Sequence, residues 1–211
     1  MIKKFIFVAS ISLTLFSVAF ASEAEQFISK GNEFVKDRKY AEALKEYEQA
    51  LKKEPKNAKV YLFLALTHAS AHNLDQALSY AKTASELEPS YVSFYNLGLI
   101  YAARTESQSA IESFDKALSF SPSSFMAEYQ KALVYVSEKV YDKAAESYRR
   151  AVELNPNFDE AYTGLAGSLY YQGDKAGSLK QIEELRKRKK NDVASALEQW
   201  IKEKEAKSPT V

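Results

Sequence analysis

The chain has only two histidines, His68 and His72, and they stand four residues apart. On one face of a helix that spacing can hold a metal ion, and Asp75 could add a third ligand after a turn. The H-E-x-x-H pattern of helical zinc sites is absent, however, and the chain has no cysteine. We therefore interpret the pair as packing or surface residues and predict neither a metal site nor any cofactor.

The basic run from Arg186 to Lys190 could contact anionic lipid or nucleic acid. It could equally end a helix, where the dipole favours cations, and Glu183 precedes Lys187 by four residues, the preferred order for a helical ion pair. The formal net charge of the chain is +1, with both signs mixed throughout. We favour the solvated helix end, predict no nucleic-acid partner, and expect membrane contact only through this run or an uncleaved N-terminal segment, if at all.

No arrangement typical of a catalytic site is found along the chain. Gly-rich phosphate loops, the G-x-S-x-G turn and zinc-protease patterns are all missing, and the lack of cysteine excludes thiol nucleophiles. The 28 acidic residues are spread along the sequence, so no carboxylate pair stands out for acid–base work. The sequence predicts a protein that is not an enzyme.

Residues 1–21 are predicted to be a secretory signal peptide. Lys3 and Lys4 precede an apolar run of 16 residues, which ends in Ala19-Phe20-Ala21. A basic start, a short apolar centre and an A-x-A exit are typical of cleaved signals, and we predict cleavage after Ala21. The alternative is a retained membrane anchor, for which this run is short. We expect a periplasmic or secreted protein.

An internal repeat predicts the helices of the chain after residue 21. Four of the five prolines are spaced by 34, 33 and 34 residues, and each follows a similar segment: Pro55, Pro89, Pro122 and Pro156. Alignment on them defines five units: 24–57, 58–90, 91–124, 125–158 and 159–190. Within each unit, small residues recur at the eighth, twentieth and twenty-seventh places and aromatic residues at the fourth and eleventh. Apolar residues at i, i+3, i+4 and i+7 indicate two helices per unit.

These marks resemble the tetratricopeptide repeat family, whose period is 34 residues. The third unit is the most similar, with Phe94, Leu97, Gly98 and Tyr101 followed by Ala110, Phe114, Ala117 and Pro122. The resemblance implies an all-α tetratricopeptide-repeat solenoid, a right-handed superhelix of stacked antiparallel helix pairs. Its terminal elements need a polar outer face. We assign that role to a capping helix over 192–206, followed by a tail at 207–211.

The fourth and fifth units depart from the pattern. Glu128 replaces the large fourth residue of its unit, and Lys131 replaces the leucine of the seventh place. The fifth unit has no terminal proline and contains Gly164, Gly167 and Gly177. We interpret it as a degenerate repeat.

The resemblance also implies a binding groove, because proteins of this family commonly hold a peptide segment on the concave face formed by the first helix of each unit. Ile28 stands where a carboxylate clamp would need lysine, so we predict no such clamp despite Asn32 and Asn96. The lining is instead apolar and tyrosine-rich: Asn32, Lys36, Leu62, Leu66, Tyr95, Asn96, Leu99, Tyr129, Gln130, Leu133, Thr163, Tyr170 and Tyr171.

Two functions fit this groove. The first is a non-enzymatic scaffold or adaptor of the bacterial cell envelope that binds a protein or peptide partner through apolar anchors. The alternative is a structural or self-associating subunit of an envelope assembly, a possible homo-oligomer that joins through Tyr170 and Tyr171.

Overall fold

The computed structural model describes residues 22–207, and these are helical apart from short turns. The eleven helices of this range are Glu23–Lys36 (α1), Tyr40–Lys53 (α2), Ala58–Ser70 (α3), Leu74–Leu87 (α4), Tyr91–Ala103 (α5), Ser107–Phe120 (α6), Phe125–Ser137 (α7), Tyr141–Leu154 (α8), Asp159–Gln172 (α9), Lys175–Lys187 (α10) and Asn191–Lys207 (α11). The all-α prediction is confirmed. The predicted signal peptide lies outside the described residues, and within 22–207 no helix has the length and apolar character that a bilayer crossing requires.

Each predicted unit holds one helix pair, and α11 follows the fifth pair. The second helix of every pair contacts the first helix of the next, which stacks the pairs into a solenoid. The first helices α3, α5, α7, α9 and α11 also contact one another in succession, whereas no comparable contact joins the second helices within residues 22–207. The first helices therefore crowd together on the inner, concave side.

The prolines mark the ends of the second helices. Each stands two residues beyond the last helical residue, as Pro55 follows Lys53 and Pro89 follows Leu87. Proline cannot continue the backbone hydrogen bonding of a helix. The next helix then starts on a side-chain cap in three of the four cases, from Asn57, Ser90 and Ser124.

The turn inside each pair uses one left-handed residue at the fifteenth place of the unit. These residues are Arg38, His72, Thr105, Lys139 and Gly173, with φ of 58°, 61°, 60°, 60° and 95°. The expectation that His68 and His72 share a helix face is therefore wrong. Helix α3 ends at Ser70, and His72 lies in the turn with its backbone reversed.

Small residues at the eighth place meet the side chain at the twenty-fourth place of the same unit. A Cβ at Gly31 would lie 2.5 Å from the Tyr47 ring, and one at Gly98 would lie 2.7 Å from the Phe114 ring. Tyr47 and Phe114 are themselves 1% and 0% exposed. The glycines thus make room for buried rings, and the two helices of the pair approach closely because of them.

The two departures of the fourth unit compensate each other. The Glu128 side chain is buried, and its carboxylate lies 3.4 Å from the Lys131 ammonium and 3.9 Å from the Arg150 guanidinium. Lys131 also pairs with Asp115 of the preceding unit at 2.9 Å. A buried carboxylate without such partners would be strongly unfavourable, so the two substitutions belong together.

Candidate functional site

The residues predicted to line the groove all lie on first helices. Asn32 and Lys36 lie on α1, Leu62 and Leu66 on α3, Tyr95, Asn96 and Leu99 on α5, Tyr129, Gln130 and Leu133 on α7, and Thr163, Tyr170 and Tyr171 on α9. Each is exposed or half-buried, so each presents some surface to solvent. Ile28, by contrast, is 1% exposed and packs in the core of the first pair.

The ninth places of the second, third and fourth units form a leucine row on the inner side, consisting of Leu66, Leu99 and Leu133. Leu66 and Leu133 are 37% and 39% exposed, and Leu99 is half-buried. Because successive first helices are in contact, these side chains lie on neighbouring helices of one face. An extended row of exposed apolar side chains is typical of a surface that binds another chain.

Tyr95 and Tyr129 lie beside this row and pack against rings of the second helices. The Tyr95 ring centroid lies 5.8 Å from that of Phe114, and the Tyr129 centroid lies 5.7 Å from that of Tyr148. Burial raises the pKa of both phenols, and a hydrogen bond with Gln130 partly offsets the effect on the pKa of Tyr95. The tyrosines are therefore half-buried walls of the groove, held by the core beneath them.

The amides of the groove are partly engaged within the chain. The Tyr47 hydroxyl donates to Asn32 Oδ1 at 2.7 Å, and Asn96 Nδ2 donates to the Val92 carbonyl at 2.8 Å. The contact of Gln130 with Tyr95 joins α7 to α5. The two hydrogen bonds orient the Asn32 and Asn96 amides on the inner face.

Tyr170 lies in the contact between α9 and α11. Its ring meets those of Tyr171 and Trp200 edge-on at 5.8 and 5.1 Å. Tyr171 in turn stacks on Tyr141 at 4.6 Å. Both tyrosines thus contribute to packing inside the chain, and self-association through them stays a prediction.

The two histidines are separated in the structure. His68 stacks on Tyr80 at 5.4 Å with 15° between the rings, and burial lowers its pKa. His72 lies in the following turn and is exposed. Within residues 22–207 no group of three potential metal ligands comes together.

The basic run is paired with acidic side chains of its own chain. Arg186 contacts Glu198 at 2.6 Å, and Lys190 contacts Asp159 at 2.9 Å. Arg188 lies over the Tyr162 ring at 4.5 Å from its centroid. These contacts connect α9, α10 and α11, so the run stabilises the junction with the last helix.

The sequence interpretation missed a cavity at the end of the leucine row. The fifth unit has Gly167 at the ninth place and Gly164 at the sixth, and a cavity of about 270 Å³ opens there. Place-by-place comparison of the units carries this signal, since the earlier units have larger side chains at both places. In the sequence alone, these glycines indicate only a degenerate repeat.

Comparison with known families identifies the repeat directly. Models described as tetratricopeptide repeats match residues 34–97 and 92–124, and a third, described as TPR repeat, matches residues 132–173. Together they span most of α1 to α9. This agrees with the resemblance carried by the proline spacing and by the small residues of each unit.

Curated relatives match less than half of the chain. The Hsp70-Hsp90 organizing protein of Triticum aestivum is 32% identical over 90 residues, which are 42% of this chain and 16% of that protein. The small glutamine-rich tetratricopeptide repeat-containing protein 2 of Saccharomyces cerevisiae is 33% identical over 92 residues, 43% of this chain and 27% of that protein. The match thus covers only a small part of each relative.

Solved structures match nearly the whole solenoid. A crystal structure of MamA protein aligns with a TM-score of 0.73 at 24% identity, covering 81% of this chain and 94% of that one. YrrB, described as a tetratricopeptide-repeat protein with an unusual peptide-binding site, aligns with a TM-score of 0.68 at 16% identity, covering 83% and 92%. At these identities the likeness establishes the fold.

Proposed function

The chain carries tetratricopeptide repeats, and we propose on that premise that it is a non-enzymatic scaffold whose inner face binds a segment of a partner protein. The observation that carries the proposal is the leucine row on successive first helices, in which Leu66 and Leu133 are exposed and Leu99 is half-buried. Solvent-exposed leucine on neighbouring helices provides apolar anchor sites for a helical or extended segment. YrrB, with the same fold, is described as having a peptide-binding site, which supports this reading.

The test replaces the exposed leucines with a charged residue and asks whether a partner is lost. Leu66→Glu combined with Leu133→Glu changes side chains that are 37% and 39% exposed, so the fold should survive. Leu87→Glu is the matched control, because Leu87 is 40% exposed but lies on the second helix α4. A photocrosslinking residue at position 99 would capture the partner in the native host, in the full chain.

We expect the double variant to lose the crosslinked partner and the Leu87→Glu variant to keep it. Burying a carboxylate against an apolar anchor costs several kcal/mol, enough to remove binding of ordinary affinity. Equal capture of the partner by the unchanged protein, the double variant and the Leu87→Glu variant would refute binding at the inner face. Circular dichroism of each purified variant would establish that helicity is retained.

We further propose that the protein acts in the bacterial cell envelope. This rests on the N-terminal pattern of residues 1–21 alone, with its two lysines, apolar run and A-x-A exit. Cell fractionation followed by N-terminal sequencing of the recovered protein tests it. A chain that begins at Ser22 in the periplasm or medium is expected, and a chain that begins at Met1 in the cytoplasm would contradict the proposal.

A further inference from the structure

A cavity of about 270 Å³ lies on the inner side of the solenoid, where α7, α9 and α11 meet over α8. We call it the Gly167 pocket. Its lining is almost entirely apolar or aromatic and includes Tyr141, Tyr148, Gly164, Gly167, Ser168 and Trp200. The pocket continues the leucine row of the groove toward the last helix.

The pocket exists because one side chain present in the preceding units is missing. The ninth place holds Leu66, Leu99 and Leu133 in units two to four but Gly167 in the fifth. A Cβ at Gly167 would meet no neighbouring heavy atom of the described residues within 4 Å. Glycine inside a helix is less stable than alanine, and the open space beside Gly167 shows that close packing does not require glycine at this place.

The floor of the pocket is the Tyr148 ring, for which the second glycine makes room. The sixth place holds Phe63, Asn96 and Gln130 in the preceding units and Gly164 in the fifth. A Cβ at Gly164 would lie 2.3 Å from the Tyr148 ring, so this ring occupies the space that a side chain would take. Tyr148 is 2% exposed and forms a fixed aromatic floor.

The walls of the pocket are rings that hold one another in place. Tyr141 stacks on Tyr171 at 4.6 Å with 15° between the planes, and Tyr171 meets Trp200 edge-on at 5.5 Å. The Lys204 ammonium lies 6.0 Å from the centroid of the Tyr171 ring and 5.9 Å from that of the Trp200 ring. A ring that entered the pocket would meet faces and edges of other rings, which aromatic side chains prefer.

A buried hydroxyl in the lining lacks a partner. Ser168 is 2% exposed, and its Oγ makes no hydrogen bond within the part of the chain that the structure describes. The same tenth place holds the apolar Ile100 and Val134 in the two preceding units. A buried polar atom without a partner is unfavourable, so a ligand group that forms a hydrogen bond with it gains affinity there.

We propose that the Gly167 pocket binds the phenol ring of a tyrosine from the partner segment, with its hydroxyl paired to Ser168 Oγ. This rests on the proposed function, since the segment would lie along the leucine row. An apolar cavity of roughly 150 Å³ is enough to bind benzene, so about 270 Å³ accommodates a substituted ring. A phenol oxygen both donates and accepts, and it therefore pairs with a serine hydroxyl in either orientation.

The test uses p-cresol, the tyrosine side chain as a free molecule, and toluene, the same molecule without the hydroxyl. Trp200 is the only tryptophan of the chain, so its fluorescence reports on this pocket alone. We expect a saturable change with p-cresol, verified by broadening of its proton NMR signals, and about three- to tenfold weaker binding of toluene. Ser168→Ala should remove that preference and leave toluene binding unchanged.

The filling variant is Gly167→Leu, which restores the leucine of the three preceding units. It should abolish binding of both probes with helicity retained, because the place has room for a side chain. Gln172→Leu adds the same side chain at an exposed position of α9 and should bind like the unchanged protein. The assignment would be overturned if p-cresol bound Gly167→Leu, or if the unchanged protein showed no saturable change with p-cresol. It would also be overturned if toluene bound the unchanged protein as tightly as p-cresol does, or if indole bound it more tightly than p-cresol does.

The outcome is separable from that of the proposed function. If p-cresol fails to bind while the Leu66 and Leu133 variants still lose the crosslinked partner, the pocket assignment falls and the groove stands. If p-cresol binds as expected while those leucine variants capture the partner normally, the groove falls and the pocket stands. When both hold, Gly167→Leu should also reduce capture of the partner in the native host.

Discussion

Replacing Gly98 with alanine tests whether the size of one residue is fixed by the ring opposite it. A Cβ at Gly98 would lie 2.7, 2.8 and 3.0 Å from three atoms of the Phe114 ring. Distances of this size fall well inside van der Waals contact, and the ring is 0% exposed, so it has nowhere to move. In the second unit the equivalent pair is Ala65 and Ala81, which suggests the compensating change Phe114→Ala.

Two opposing terms set the magnitude. Overpacking a tight core by one methyl group costs about 1–3 kcal/mol, and alanine in a helix interior gains about 1 kcal/mol over glycine. Gly98→Ala should therefore lower the free energy of unfolding by about 1 kcal/mol in the unchanged protein. Where Phe114→Ala has removed the ring, the same substitution should raise that free energy by about 1 kcal/mol. The sign reverses, and the interaction energy is about 2 kcal/mol.

Urea unfolding followed by circular dichroism measures all four proteins of this cycle. A repeat array need not unfold in two states, so the order of the midpoints is the robust quantity. Gly167→Ala is the matched control, since a Cβ there has no neighbour within 4 Å among the described residues, and it should be stabilising by about 1 kcal/mol. If Gly98→Ala stabilised the protein as Gly167→Ala does, or destabilised it equally with and without the ring, the packing argument would be refuted.

Three further perturbations have expected outcomes. Thr105→Gly should raise the melting temperature by a few degrees, because a β-branched residue at φ 60° is strained by about 1 kcal/mol. Gly173→Ala should lower the melting temperature, because it places a side chain at a positive φ. Burial lowers the pKa of His68 in the folded protein, so the unfolded chain binds a proton at this residue more readily. The free energy of unfolding should therefore fall as the pH drops below about 6.5, the pKa of an unperturbed histidine. Urea titration of the His68→Phe variant should show a smaller fall. Lys131→Met should lower the free energy of unfolding by about 2 kcal/mol, because it removes a partner of the buried Glu128 carboxylate. Adding Glu128→Gln removes that buried charge and should restore part of the lost free energy.

The solenoid was predictable because its determinants are local and repeated. Proline two residues beyond the second helix of the first four units and small residues at fixed places carry the register in the sequence itself. His72 shows where this reasoning fails. A spacing of four residues suggests a shared helix face, but the fifteenth place of each unit reverses the backbone, and only alignment of His72 with Gly173 hints at it.

The ion pair of the fourth unit shows a second limit. Glu128 and Lys131 were recognisable as departures, yet each looked like a separate defect in the pattern. Their pairing, and the reach of Lys131 to Asp115 of the preceding unit, depend on how neighbouring helices stack. Contacts between units are fixed by packing in three dimensions, and a single sequence does not display them.

The glycines of the fifth unit carry the strongest argument about function. Gly98 at the eighth place of its unit has no room for a side chain, because the Phe114 ring fills the space beside it. Gly167 has no such neighbour among the described residues, although leucine occupies its place in three units and would be accommodated. Stability alone would favour a side chain there, because glycine weakens a helix. Open space beside fixed rings, with the Ser168 hydroxyl unpaired among the described residues, is the observation on which the proposed phenol pocket of the fifth unit rests.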